Sequence, residues 1–216
     1  MDIVDIILLI PVGLLSISFH EYMHGRISYM LGDPTPKAMG RLTLNPLAHL
    51  SLVGTLALII MKIGWAKPVP VNPRYYKNPR KGMMYVGIAG PAANLFLAGV
   101  FSILFHMMAI INNMSSNELY YHMQSTQWNA NVIKMISLMI FLGILINLAL
   151  AIFNLLPVPP LDGSKILRGF LPAKFDKYFY KLEGPAGMVV LLVLLYTGII
   201  SRTIFPAVNF LLNFLI

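Results

Sequence analysis

The sequence contains no cysteine and few charged residues, and each shortage excludes a class of protein or site. Without cysteine the chain has neither disulfides nor thiolate ligands, so a metal would be held by His, Asp or Glu. Only 11% of its 216 residues are charged while 57% are hydrophobic, which is typical of an integral membrane protein. The first apolar run follows Asp2 and Asp5 rather than a basic segment, so we interpret it as an uncleaved span and not as a signal peptide.

The charges that are present are mainly basic. Sixteen Lys and Arg residues stand against eight Asp and Glu, for a formal net charge of +8. In a membrane protein this excess indicates orientation in the lipid bilayer and contact with headgroups. The basic residues form no patch interleaved with aromatic side chains, so nucleic acid is not an expected partner.

Several apolar runs approach the roughly 20 residues that a helix needs to cross a bilayer. They predict an all-α polytopic membrane protein, a bundle of four or more transmembrane helices. The predicted spans are Ile3–Leu31, Met83–Ile111, Val132–Leu156 and a fourth around Gly187–Ile200. The last run, Ile204–Ile216, is too short to assign.

The remaining segments are shorter or richer in proline. Asp33–Leu50 predicts a membrane-associated loop with one or two short β segments. Leu52–Ile63 predicts a re-entrant segment, or a span if it extends back through Leu47. Composition shows no boundary between domains. We therefore expect a single membrane-embedded domain over 1–216, with a core at 3–163 and C-terminal helices at 164–216.

The charges of the loops predict the topology. Asp33–Gly82 and Ser164–Glu183 are basic, whereas Asn112–Asn131 has Glu118 as its only fixed charge. The positive-inside rule places the two basic regions in the cytoplasm, which requires Leu52–Ile63 to enter and leave on the same side. The first and third spans then run in the same direction and end at the same face of the membrane.

Inside the first span lies His20-Glu21-Tyr22-Met23-His24. Histidines at positions i and i+4 share one face of a helix and can bind one Zn²⁺, with the intervening Glu placed to act as a general base on a metal-bound water. H-E-x-x-H alone also occurs by chance or for structural reasons. Ionisable residues are costly in a membrane span, however, so this trio favours a functional site.

A candidate third ligand follows the third span, where Pro157, Pro159 and Pro160 prevent the helix from continuing. Asp162 would be presented from this irregular link, with Gly163 permitting a sharp turn. Asp162 could instead cap the helix that follows it, and its spacing alone does not separate the two roles. The H-E-x-x-H motif at the matching membrane face favours the metal ligand.

Three motifs together resemble the site-2 proteases, which are intramembrane zinc metalloproteases. They are H-E-x-x-H at residues 20–24, Gly90-Pro91-x-x-Asn94, and Asn154-x-x-Pro157-x-Pro159-x-Leu161-Asp162-Gly163. The stretch GWAKPVPVNP at residues 64–73 is similar to the compact prokaryotic branch, which has no PDZ or CBS domain. The resemblance covers most of the chain from His20 to Gly163.

This resemblance implies one Zn²⁺ per chain, bound by His20, His24 and Asp162, with Glu21 as the general base. The implied activity is hydrolysis of peptide bonds in transmembrane protein or peptide substrates. The implied location is the cell membrane, multi-pass, with the active site toward the cytoplasmic side. The sequence leaves the oligomeric state and the identity of the substrate open.

The resemblance also implies roles for two asparagines. Asn154 would be a catalytic group that positions the substrate carbonyl or its oxyanion, and Asn94 would bind substrate near its path. Because a helical substrate must unwind before cleavage, a backbone edge at Gly40–Leu44 or Pro68–Val71 could hold the unwound strand.

Two other functions remain open on the sequence. A metal-ion transporter could use the same His, Glu and Asp side chains, but it would need further ligands along its path, and the predicted spans add only His106. A binding protein without activity would not need Glu21. The enzyme is the favoured interpretation.

Overall fold

The computed structural model describes residues 3–51, 54, 64, 66–124 and 132–216, and within them it contains helices and no strand. The α-helices of the described residues are α1 (Ile3–Met30), α2 (Thr35–Ala38), α3 (Pro79–Ile111), α4 (Ser116–Gln124), α5 (Val132–Leu155), α6 (Asp162–Phe170), α7 (Asp176–Leu182), α8 (Pro185–Tyr196) and α9 (Ile199–Leu215). Short 3₁₀ turns occur at Pro46–Ala48, Pro73–Tyr75 and Ala173–Phe175.

Three of these helices are long and apolar enough to cross a membrane, namely α1 from Ile7, α3 and α5. They confirm the first three predicted spans. The first ends as the sequence predicts, because Gly32 takes a positive φ of 102° just beyond it. The second begins at Pro79, where the side chain of Asn78 caps the amide of Lys81.

The three spanning helices pack against one another, and α3 runs antiparallel to the other two. Asn94 of α3 contacts His20, while Val86, two turns earlier on α3, contacts His24. Ser16 of α1 bonds Asn147 of α5, and the chain after α5 returns to the histidines. This order of contacts confirms that the first and third spans are parallel and end at the same face.

The predicted fourth span is present in a bent form. Helix α8 and the preceding segment Ala173–Leu182, bent by 76° to each other, are together long and apolar enough for one broken span, which gives up to four spans among the described residues. Helix α8 ends at Tyr196, Gly198 adopts a left-handed conformation with φ of 72°, and α9 begins at Ile199. Glycine enters this region without the steric cost that a Cβ would bring, so the chain turns there. The unassigned run Ile204–Ile216 belongs to α9, which packs Val208 and Leu212 into the apolar core shared by α3 and α5.

For Asp33–Leu50 the sequence predicted a loop with one or two short β segments, and the β segments are wrong. This stretch forms α2 and a 3₁₀ turn, because Pro34, Pro36 and Pro46 favour helical starts over a hydrogen-bonded strand. The predicted re-entrant segment Leu52–Ile63 lies outside the described residues, apart from Gly54.

The polar loop after α3 contains a helix in its described part. Helix α4 begins with a capping box, in which Glu118 Oε2 accepts from the amide and hydroxyl of Ser115 and Ser115 Oγ accepts from the Glu118 amide. This reciprocal pair explains why a mainly polar segment starts a helix at this point.

Candidate metal centre

His20 and His24 lie one turn apart on α1 and face the interior of the helix bundle. Both are buried, at 7% and 6% exposed. Their ring centroids are 4.6 Å apart, edge to face, and the two Nε2 atoms are separated by 3.0 Å. The i, i+4 spacing of the motif therefore brings one nitrogen of each ring to a common point.

Asp162 reaches the same point from the other side of the bundle. Its Oδ2 lies 3.2 Å from His20 Nε2 and 3.0 Å from His24 Nε2. It is the first residue of α6, whose N-cap is Leu161 and has no side-chain cap. The alternative helix-capping role of Asp162 is therefore wrong, since its carboxylate turns toward the histidines.

The turn behind Asp162 depends on glycine. A Cβ built on Gly163 would collide with the carbonyl oxygens of Leu155 and Leu156, at the end of α5. The backbone of α6 can therefore approach the end of α5 only without a side chain at this position. This close approach brings the aspartate back to the histidines immediately after the proline-rich link.

The tautomer of His24 follows from its second ring nitrogen. Nδ1 lies 2.6 Å from the carbonyl oxygen of Val86. Because a carbonyl only accepts, Nδ1 carries a hydrogen and donates it, which leaves the lone pair of the neutral ring on Nε2. That lone pair points at the place where a metal would bind.

The tautomer of His20 is set by a chain of amides. Asn147 Nδ2 donates to the carbonyl of Gly143 and to Ser16 Oγ, so Asn147 Oδ1 accepts from Asn94 Nδ2 at 2.8 Å. Asn94 Oδ1 therefore faces His20 Nδ1 at 2.6 Å, and the ring must donate there. As in His24, Nε2 keeps the lone pair.

A metal ion explains this convergence. Two imidazole lone pairs and a carboxylate oxygen point at one another, and the buried Asp162 Oδ2 has no hydrogen-bond partner. Ligand atoms about 2.0–2.1 Å from a tetrahedral zinc lie about 3.3 Å apart, close to the separations of 3.0–3.2 Å found here. In the described part of the chain, His20, His24 and Asp162 form the one group that could hold a metal.

Helix α3 makes room for this centre through Gly90. A Cβ at this position would collide with the rings of both His20 and His24. The glycine of the Gly90-Pro91-x-x-Asn94 motif thus lets α3 approach the histidines. One turn later, Asn94 of the same motif orients His20.

Glu21 and Asn154 border a cavity of about 150 Å³ beside the three candidate ligands. Glu21 Oε2 accepts a hydrogen bond from the amide of Val69 at 2.9 Å. Asn154 Nδ2 donates to the carbonyl of Leu150 in its own helix. Asn94, by contrast, is fully buried behind His20 and is not among the residues that line this cavity.

Sequence reasoning missed three residues that support the centre. Lys165 Nζ lies 2.8 Å from Asp162 Oδ1, so it can hold one carboxylate oxygen while the other faces the histidines. Its i+3 position on a helix beginning at Asp162 was the available signal. Asn147 belongs to no motif in the sequence. Val69 lies in the GWAKPVPVNP stretch, but only the structure shows that its amide contacts Glu21.

The asparagine behind His20 leads to a prediction. Asn94→Ala removes the acceptor for His20 Nδ1–H, and such a change typically weakens metal binding about 10–100-fold. We expect an increase of that size in the zinc dissociation constant, measured by competition with a chromophoric chelator. Asn94→Asp keeps an acceptor and should bind zinc more tightly than the alanine variant. Equal affinity of Asn94→Ala and the unchanged protein would contradict this role.

Comparison with known proteins agrees with the site. The model of peptidase family M50 matches residues 7–197. "Putative zinc metalloprotease YwhC" of Bacillus subtilis is 36% identical over 196 residues, which cover 91% of this chain and 83% of the relative. "Putative zinc metalloprotease Rip2" of Mycolicibacterium smegmatis is 29% identical over 216 residues, covering 96% of this chain and 74% of the relative.

A third relative, "Zinc metalloprotease MJ0392" of Methanocaldococcus jannaschii, is 29% identical over 129 residues, which cover 59% of this chain and 32% of the relative. No solved structure matches the chain. The family match extends over all three spanning helices and every candidate ligand. The chain therefore belongs to peptidase family M50, the site-2 proteases, and is a membrane-embedded zinc metalloprotease.

Proposed function

We propose that this protease hydrolyses peptide bonds within transmembrane segments, with His20, His24 and Asp162 as the zinc ligands and Glu21 as the general base. The observation that carries the proposal is the position of the motif inside a helix that is long and apolar enough to span a membrane. His20 is ten residues before the end of α1 at Met30, or about 15 Å along the helix axis. This position supports a substrate whose scissile peptide bond lies in an apolar, membrane-embedded segment.

The chemistry divides among the residues of the cavity. When bound, Zn²⁺ polarises a carbonyl and lowers the pKa of a coordinated water. Glu21 takes the proton of the attacking water and passes it to the amine that leaves as the C–N bond breaks. The neutral rings of His20 and His24 keep their orientation because Asn94 Oδ1 and the Val86 carbonyl accept hydrogen bonds from their Nδ1–H groups.

Asn154 is proposed to position the substrate carbonyl. Its amide has two hydrogens, and the structure uses one of them for the carbonyl of Leu150. The second can donate to the substrate oxygen, where negative charge develops during attack. Since Asn94 lies behind His20 and outside the cavity lining, we propose that it orients the ligand and does not contact substrate.

An unwound substrate strand would form backbone hydrogen bonds with a segment of the protein beside the cavity. Pro68, Val69 and Val71 border the cavity, but the two prolines of Pro68–Val71 have no N–H and the Val69 amide is already bonded to Glu21. Substrate pairing along this segment would therefore depend on its carbonyl groups and on the Val71 amide. The Gly40–Leu44 stretch forms no strand edge.

The test is cleavage of a single-span membrane protein by the purified enzyme, with products identified by mass spectrometry. We expect a cut inside the apolar segment with the unchanged protein and none with Glu21→Gln. Zinc flux into vesicles without cleavage would favour the transporter instead. Against that alternative, His106 Nδ1 bonds the Ser102 carbonyl of its own helix and adds no second metal group among the described residues.

We further propose that the protein lies in the cell membrane and that its active site opens toward the cytoplasmic side. Because the chain has no native cysteine, single introduced cysteines report sidedness cleanly. We expect cysteines at Thr35 and Asn78 to react with a membrane-impermeant maleimide from the cytoplasmic side, and a cysteine at Ser116 from the opposite side. Labelling of Thr35 and Asn78 from different sides would contradict this topology.

A further inference from the structure

The segment 66–72, called the strap here, passes beside the candidate catalytic cavity without regular secondary structure. Pro68, Val69 and Val71 line the cavity together with the H-E-x-x-H residues. At its centre the Val69 amide donates to Glu21 Oε2 over 2.9 Å. The strap is therefore in direct contact with the proposed base.

The beginning of the strap is clamped by a buried arginine. Arg41 is only 6% exposed, and its guanidinium donates to the carbonyls of Lys67, at 2.6 Å, and Pro68, at 3.2 Å. It also donates to the carbonyl of Ala48, and the Lys67 amide donates to the carbonyl of His49 at 2.8 Å. A planar guanidinium can bridge several acceptors in a fixed geometry, which a single ammonium cannot.

The end of the strap is clamped by Asp33, which is fully buried. Its Oδ2 accepts from the amide of Asn72 at 2.7 Å and from Ser28 Oγ, and its Oδ1 accepts from the amide of Thr35. Burial by itself raises the pKa of Asp33, but these hydrogen bonds lower it to a net value below its usual range. The carboxylate thus stays ionised, and its stabilisation is lost only as the pH falls through that lowered pKa.

Helix α1 is shaped to receive the strap. A Cβ built on Gly25, next to His24, would lie 2.9 Å from Leu42 Cδ2 and 3.1 Å from Val69 Cγ1. The lack of a side chain at Gly25 lets Val69 sit against the helix that carries Glu21. The distance between the strap and Glu21 is therefore set by packing as well as by the two clamps.

We propose that the strap is a positioning element for Glu21, with Arg41 and Asp33 as its anchors. The Val69 amide fixes one carboxylate oxygen and leaves the other for the water proton. A carboxylate held in one orientation is correctly placed for proton transfer more of the time than a freely rotating one, and kcat is higher as a result. This inference rests on the proposed role of Glu21.

The test compares two substitutions at one position. Val69→Pro removes the N–H between two existing prolines, and Val69→Ala truncates the side chain but keeps the N–H. A hydrogen bond to a charged group is worth about 1.5–3 kcal/mol, so we expect kcat of Val69→Pro to be about 10–100-fold below that of Val69→Ala. KM and the zinc content should be the same in both variants.

A second variant tests the anchor without touching the cavity. Arg41→Met should lower kcat with unchanged zinc content, because the strap then moves relative to Glu21. The double variant Arg41→Met, Val69→Pro should have a kcat little below that of Val69→Pro alone, since both changes act through one hydrogen bond. Purely structural damage would instead give multiplied losses and reduced zinc content.

The outcomes separate this inference from the proposed function. If Glu21→Gln is active, the proposed base is wrong. If Glu21→Gln is inactive while Val69→Pro matches Val69→Ala, the strap does not position the base and the inference is overturned. If Val69→Pro fails to fold, an Arg41→Met enzyme with unchanged kcat overturns it in the same way.

Discussion

Replacing Glu21 by Gln is expected to remove nearly all hydrolysis while leaving the fold and the zinc content unchanged. The amide is the same size as the carboxylate and its oxygen can still accept from the Val69 amide. It cannot take a proton from water at neutral pH, however. General bases typically contribute about 10²–10⁴-fold to the rate, so we expect kcat to fall by at least about 10²-fold.

The measurement is the rate of product formation from a single-span substrate under single-turnover conditions, with zinc content determined in parallel. Glu118→Gln is the matched control, because it makes the same chemical change in the first turn of α4, outside the lining of the cavity, and should not affect turnover. Turnover of Glu21→Gln within a few-fold of the unchanged enzyme would remove Glu21 from the mechanism.

The second large effect concerns the metal itself. The double variant His20→Ala, His24→Ala deletes two of the three converging donor atoms and leaves the single carboxylate of Asp162. One monodentate ligand does not hold zinc against water, so zinc should fall from about one ion per chain to near zero. Hydrolysis should be lost with it.

The direct measurement is the number of zinc ions per chain, determined by elemental mass spectrometry after loosely bound metal has been removed. His106→Ala is the control, since His106 is also on a spanning helix but bonds its own Ser102 carbonyl. Full zinc occupancy in the double variant would show that the ion is held elsewhere.

The sequence by itself determined the spanning helices and the half of the candidate metal site that lies on one of them. Hydrophobic length predicts α1, α3 and α5 because a bilayer imposes a minimum apolar run. Helical periodicity predicts that His20 and His24 face the same way, because their spacing is local and the helix repeat is invariant. Proline chemistry likewise predicted an irregular link before Asp162.

Short and polar elements were harder to predict from the sequence. The 33–50 stretch contains apolar and β-branched residues, yet Arg41 and local proline turns satisfy its backbone and no strand forms there. The C-terminal apolar run breaks at Gly198, where only the backbone conformation separates α8 from α9. Hydrophobic pattern alone does not locate such boundaries.

Only the tertiary structure decided how the two halves of the site are held together. Asn94 and Asn147 orient His20, and the Val69 amide holds Glu21. The sequence separations are large, since the pairs His20–Asn94 and Glu21–Val69 join different segments of the chain. A motif records which side chains share a helix face, whereas the partners behind that face depend on how the helices pack.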